Sequence, residues 1–165
     1  MYDRFGEFDS WEELNRAAQG QKEEGDEEAL LILAKENGID KEDAEDYFDG
    51  AIQELCTPLT AAFGKLQVED DDLKTKDIMN DWWNYIMTLV AADEQMAIAV
   101  RKKGKSLRGC IGELLKWSFN HQHQVDKDIL KAAGVSASKV TIGIPGMGTA
   151  HKIIKEYYLG GGDRT

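Results

Sequence analysis

Proline is nearly missing from this chain, at two residues in 165. With so few helix breakers and many Ala, Leu, Glu and Lys, the composition favours helices over a sandwich or barrel. Cysteine is equally scarce. Cys56 and Cys110 lie far apart, without CxxC spacing, each in an apolar helical context. That excludes a disulfide framework or a cysteine-rich metal site and makes two reduced, buried thiols the expected state, as in a cytosolic protein. No run of about 18 apolar residues is present, so a membrane span is not expected. The opening Met1-Tyr2-Asp3-Arg4-Phe5 has no apolar signal run. Basic side chains are also in deficit: 20 Lys and Arg against 31 Asp and Glu give a net charge of −11. This argues against a general nucleic-acid binder or an anionic membrane surface as partner, and favours a basic one.

What is present is enough to fold alone. At 42% hydrophobic and 31% charged, 165 residues fit one domain. The expected fold is mostly α, a compact multi-helix domain with one minor strand or hairpin element near residues 139–144. The charge is divided sharply. Residues 1–72 hold 22 acidic and 6 basic side chains, a net of −16, and residues 73–165 hold 9 and 14, a net of +5. An acidic N-terminal helical lobe, 1–72, packed on a C-terminal helical lobe, 73–160, is therefore the expected organisation within residues 1–165, with 68–76 as the boundary.

Helix signals run through the whole chain. Ser10 and Glu13 form a capping box for a helix bearing Trp11, Leu14, Ala17 and Ala18, fading by Gly20–Gly25. Asp26 caps a second helix, Glu27 to Asn37, apolar nearly all round, and Gly38-Ile39 stops it. Asp40 starts a third, with Ala44, Tyr47, Phe48, Ala51, Ile52 and Leu55 inward and Gly50 an interior weak spot. Thr57-Pro58 reads as N-cap and first residue of a fourth, with Leu59, Ala62, Phe63 and Leu66 inward. The run Glu69-Asp70-Asp71-Asp72 reads as a solvated loop. Ile78, Trp82, Tyr85, Ile86, Leu89 and Val90 fall on one face of a central helix that holds two of the four tryptophans. Asp93 caps another helix and Ser106 a further one, with Leu107, Cys110, Ile111, Leu114, Leu115 and Phe119 inward. Asn120 to Gln124 reads as a polar connector, and Asp126 to Ala133 as a short helix. Lys139 to Ile144 is strand-like but single. Thr149 caps a last helix, and Gly160 to Thr165 should fray.

The sharpest candidate surface is acidic. Glu42, Glu45, Asp46 and Asp49 recur at helical spacing, about 6 Å apart, close to the spacing of successive phosphates on a nucleic-acid strand. No Lys or Arg is expected to interleave among them. With Asp26, Glu27 and Glu28, and with Glu69, Asp70, Asp71 and Asp72, they can imitate a phosphate backbone for a basic groove. The plainer alternative is a solvated face whose first-turn acids complement a helix dipole. A basic cluster, Arg101, Lys102, Lys103, Lys105 and Arg108, offers contacts to RNA or DNA phosphates or to an acidic partner surface, although three of its five residues suit a helix C-terminus. No cofactor and no metal are expected. Neither Gly38 nor Gly50 sits in an EF-hand frame, and His121 and His123 lack two further ligands. The glycine turn before His151 matches neither a P-loop nor a dinucleotide fingerprint. No serine sits in a nucleophile elbow, and no convincing catalytic motif is found.

Three stretches carry a family resemblance. They are Phe8-Asp9-Ser10-Trp11-Glu12-Glu13-Leu14-Asn15, the run from Ala34 to Tyr47, and Ile153-Ile154-Lys155-Glu156-Tyr157-Tyr158-Leu159. These resemble small proteins of phages and mobile elements of gut bacteria, some of them anti-CRISPR inhibitors of type II RNA-guided nucleases. The resemblance covers both ends and carries over no site residues. It implies a non-catalytic inhibitor in the cytoplasm of a bacterial host cell, with the nuclease and its guide RNA as partner. Such a nuclease holds nucleic acid in a positively charged channel, which an acidic helical face can occupy. The alternative is a nucleic-acid-binding accessory protein of a mobile element, using Arg101 to Arg108 and Lys116. An enzyme with an unrecognised site is a third reading.

Overall fold

The computed structural model describes residues 2–160. The fraying expected at the C-terminus lies, from Gly161 on, outside the described residues. Among those described, nine α-helices and one two-stranded sheet form. The helices are α1 (Trp11–Glu24), α2 (Glu27–Glu36), α3 (Lys41–Asp49), α4 (Pro58–Leu73), α5 (Ile78–Ala92), α6 (Glu94–Arg101), α7 (Leu107–Asn120), α8 (Lys127–Ala132) and α9 (Met147–Leu159). The strands β1 (His123–Gln124) and β2 (Thr141–Ile142) pair antiparallel, His123 opposite Ile142. The mostly α fold with one minor hairpin element is thus as expected. The partner strand lies in what reads as a polar connector. Among the described residues no helix is long and apolar enough to cross a membrane.

The caps explain most boundaries. Ser10 accepts from the Glu13 N–H, and Asp26 from Ala29. Thr57 and Thr60 form a reciprocal capping box, with Pro58 at the first turn. Each satisfies amides that a helix start leaves without partners. α1 ends within the expected Gly20–Gly25 stretch, running to Glu24 and closed by a left-handed Gly25. Gly50 is no interior weak spot. It ends α3 in the left-handed region, at φ 83°, so Ala51 is exposed and lies beyond the helix.

Two apolar clusters hold the chain together. The first gathers Leu14, Ala18, Leu30, Leu33, Ala44, Tyr47, Leu55, Cys56 and Ala61 from α1–α4. The second gathers Ala62, Leu66, Trp82, Ile86, Val90, Met96, Val100, Leu107, Cys110, Leu114, Ile154 and Tyr158 from α4–α7 and α9. α4 feeds both, Ala61 facing one and Ala62 the other, and it packs against α5, α6 and α7. It is therefore α4, rather than the tryptophan-bearing α5, around which the fold turns. Both cysteines are free and buried, and burial pushes each thiol up to about 12.

Several inward assignments are reversed. Leu59 is exposed on α4, and on α7 Leu115 and Phe119 are 57% and 80% exposed. The physical reason is the same for all. A helical stripe wider than the neighbour covering it leaves its edge residues in water. Glu69 to Asp72 form no loop but belong to α4, which runs to Leu73.

Candidate functional site

α3 presents the acidic surface. The helix starts after Asp40 and buries Ala44 and Tyr47 against α2, which turns Glu42, Asp46 and Asp49 outward. Glu45 is half-buried. Lys22 of α1 fixes the other side of the helix, donating to the Tyr47 carbonyl at 2.5 Å while lying over the Tyr47 ring. One expectation fails here: a cation does interleave. Lys41, on the first turn, pairs with Glu45 at 2.6 Å across one helical turn. That bond is the main cause raising the Lys41 pKa, and Glu27 of α2 adds to it. Glu27 therefore lies close enough to Lys41 for its charge to be felt. The first-turn acids of α2, exposed Glu27 and Glu28, thus share a neighbourhood with the α3 row. Asp26 is committed to its cap.

The third acidic group is somewhere else and does other work. Glu69 is 5% exposed and accepts from the Leu107 N–H at 2.8 Å. Asp70 takes the Thr75 N–H and hydroxyl, closing the end of α4. Asp71 accepts from Gln67. Asp72 pairs with Arg108 at 3.0 Å. Glu69 is therefore inside the fold and Asp70 is engaged at the end of α4, while Asp71 and Asp72 stay exposed, Asp72 in a surface ion pair.

Part of the basic cluster is drawn into the fold as well. Arg101 is fully buried, its Nη2 donating to Asn37 Oδ1 at 2.7 Å. Lys105 is half-buried, bonded to the Tyr157 carbonyl at 2.6 Å and lying over its ring. Arg108 is paired with Asp72 but stays 69% exposed, so it remains at the surface with Lys102 and Lys103, and with Lys116 on α7.

What the sequence hides is a buried polar seam between the two apolar clusters. Lys65, fully buried on α4, donates to Glu7 at 2.8 Å and to the carbonyls of Lys102 and Lys105 at 2.8 and 2.5 Å. Asn37, itself buried, receives Arg101 and donates to the Leu33 carbonyl. Burial pushes the Lys65 pKa down and the Glu69 pKa up. The chain before α1 closes over this seam. Glu36 accepts the N–H groups of Asp3, Arg4 and Phe5, and Glu7 reaches Lys65. Removing Glu7 takes an ion-pair partner from buried Lys65, and removing Asn37 takes the acceptor from buried Arg101, so each loss leaves a buried cation short of a partner. The only advance signal for this seam is Lys65 in the apolar stretch of α4.

The histidines are spread out. His121 stacks on Trp117 at 4.0 Å, His151 stacks on Tyr85 at 3.5 Å, and His123 lies in β1. Among the described residues no group of three or more His, Cys, Asp or Glu is placed to hold a metal ion. Comparison of the chain with protein-family models, with curated proteins and with solved structures finds no match.

Proposed function

We propose that the protein is a stoichiometric, non-enzymatic inhibitor of a type II RNA-guided DNA nuclease. It binds the nuclease–guide complex and blocks target DNA binding or cleavage. The observation that carries this reading is the row Glu42, Asp46 and Asp49, exposed on α3 beside Glu27 and Glu28 of α2. Like charges at these spacings repel by a few tenths of a kcal/mol per pair, so the row costs the monomer stability. A positively charged channel built for nucleic acid is a surface on which that repulsion becomes attraction. Association is then fast at low salt and weakens as salt screens the approach. The nucleic-acid-binding alternative has less to stand on, because Arg101 is buried, Lys105 is bonded to the Tyr157 carbonyl and Arg108 is paired with Asp72 at the surface.

The test is target-DNA cleavage by a purified nuclease–guide complex with rising amounts of this protein. A variant with Glu42→Lys, Asp46→Lys and Asp49→Lys is run beside it. Inhibition near equal stoichiometry, lost in the variant, is the expected result. Inhibition by both moves the contact surface away from α3. No inhibition across several type II nucleases, together with DNA binding by the protein alone, gives the role to the accessory-protein reading.

A further inference from the structure

α7 has one face that the other described residues leave open. Arg108, Gly112, Leu115 and Phe119 follow one another at steps of four, three and four, which places them on a single stripe. Leu115 and Phe119 are large apolar side chains standing mostly in water. Gly112 is a gap between Arg108 and Leu115, since a Cβ built there meets nothing within 4 Å. At the Arg108 end lies a cavity of about 190 Å³, floored by Leu73, Met79 and Ile111. That is below the roughly 300 Å³ at which small-molecule sites begin, and suits one large side chain.

We propose that this stripe is a self-association surface, the α7 helices of two copies packing antiparallel about a two-fold axis. Phe119 and Arg108 are centred midway between residues 113 and 114, and so are Leu115 and Gly112. One axis through that point therefore seats both pairs at once. Leu115 of each copy fills the gap over Gly112 of the other. Phe119 of each lies over Arg108 of the other, at the mouth of its cavity. A surface carrying its own knob and its own hole at matched positions is what an isologous contact requires. A guanidinium against a phenyl face adds attraction.

Charge permits the approach. Arg108, the one charged residue of the stripe, already has Asp72 at 3.0 Å, and the exposed α2–α3 acids belong to elements of the other apolar cluster. Size sets the strength. A helix of 14 residues is about 21 Å long, so its stripe is far short of the roughly 800 Å² per partner of a standard interface. The dimer is accordingly weak and depends on concentration.

Sedimentation equilibrium of the full chain from about 10 µM to about 1 mM tests this, a range chosen for weak association. The average mass is expected to rise from 18.5 kDa toward twice that value. Phe119→Ser and Gly112→Gln are each expected to weaken the association at least tenfold. The Gly112 change places a side chain in open space in the monomer, so its thermal midpoint should stay level or rise, separating lost pairing from lost folding. A mass of 18.5 kDa throughout overturns the proposal, and so does a dimer that survives either substitution. A wild type that stays monomeric while Phe119 becomes shielded in a nuclease complex also overturns it, assigning the face to another protein.

Discussion

Glu69 and Lys65 sit one helical turn apart on α4, both buried, and their titration is set by that burial. Glu69 keeps its proton to a higher pH in the folded chain than its ordinary value of 4.5. As pH rises through that raised value, the unfolded chain has already released the proton while the folded chain still holds it. The folded state binds more protons in this window, so Glu69 makes stability fall as pH rises. Glu69→Gln keeps an acceptor for the Leu107 N–H and cannot ionise. Urea unfolding from about pH 4 to about pH 7 should show the wild type losing ground to this variant as pH increases. A constant difference would mean that Glu69 titrates normally. Lys65 works in the opposite sense. Its lowered pKa favours the folded state only as pH climbs from that lowered value toward 10.5. Neither fate was legible in the sequence. An acidic run ordinarily means water, and the group that draws Glu69 inward is an amide 38 residues further on.

The junction of α2 with α4 depends on two missing side chains. A Cβ on Gly64 would stand 2.2 Å from the Asn37 carbonyl oxygen, and one on Gly38 would stand 2.3 Å from the Gly64 oxygen. Both obstacles are backbone and cannot swing aside. Gly64→Ala should therefore destabilise the fold by about 3 kcal/mol in chemical denaturation, by forcing α4 away from the α2 turn and loosening the Asn37–Arg101 bond. Gly20→Ala is the matched control: it lies inside α1 with open space around it and should stabilise by roughly 0.5–1 kcal/mol. Equal effects at the two positions would remove close approach as the reason for glycine at 64. At this scale the sequence was readable where the signal was local. The Ser10, Asp26, Thr57, Asp93 and Ser106 caps all form as their residue types predict. Gly50 was misjudged because a glycine ending a helix and one weakening it look alike until the next turn is seen.

Across the whole molecule, a net charge of −11 with 22 of 31 acids in the first 72 residues sets a repulsion that salt relieves. The wild type should therefore gain thermal stability between about 0.05 M and about 0.5 M NaCl. The triple change of Glu42, Asp46 and Asp49 to Lys should be at least as stable as wild type at low salt, by a few tenths of a kcal/mol, and gain less from salt. A large loss of stability would mean that these carboxylates hold the fold, and the cleavage comparison would then have to use single substitutions.

The sequence by itself determined the helical class, the places where most helices begin, the reduced cysteines and the uneven charge. Each follows from residue type and short-range spacing, which folding does not change. Only the tertiary structure decided which charges remain available. It buried Arg101, Lys65 and Glu69, tied Lys105 and Arg108 to distant groups, and left the α3 row outside. It also turned Leu115 and Phe119 to water. A side chain's exposure depends on what packs over it, and for these residues the covering groups come from elements far away in the chain or never arrive.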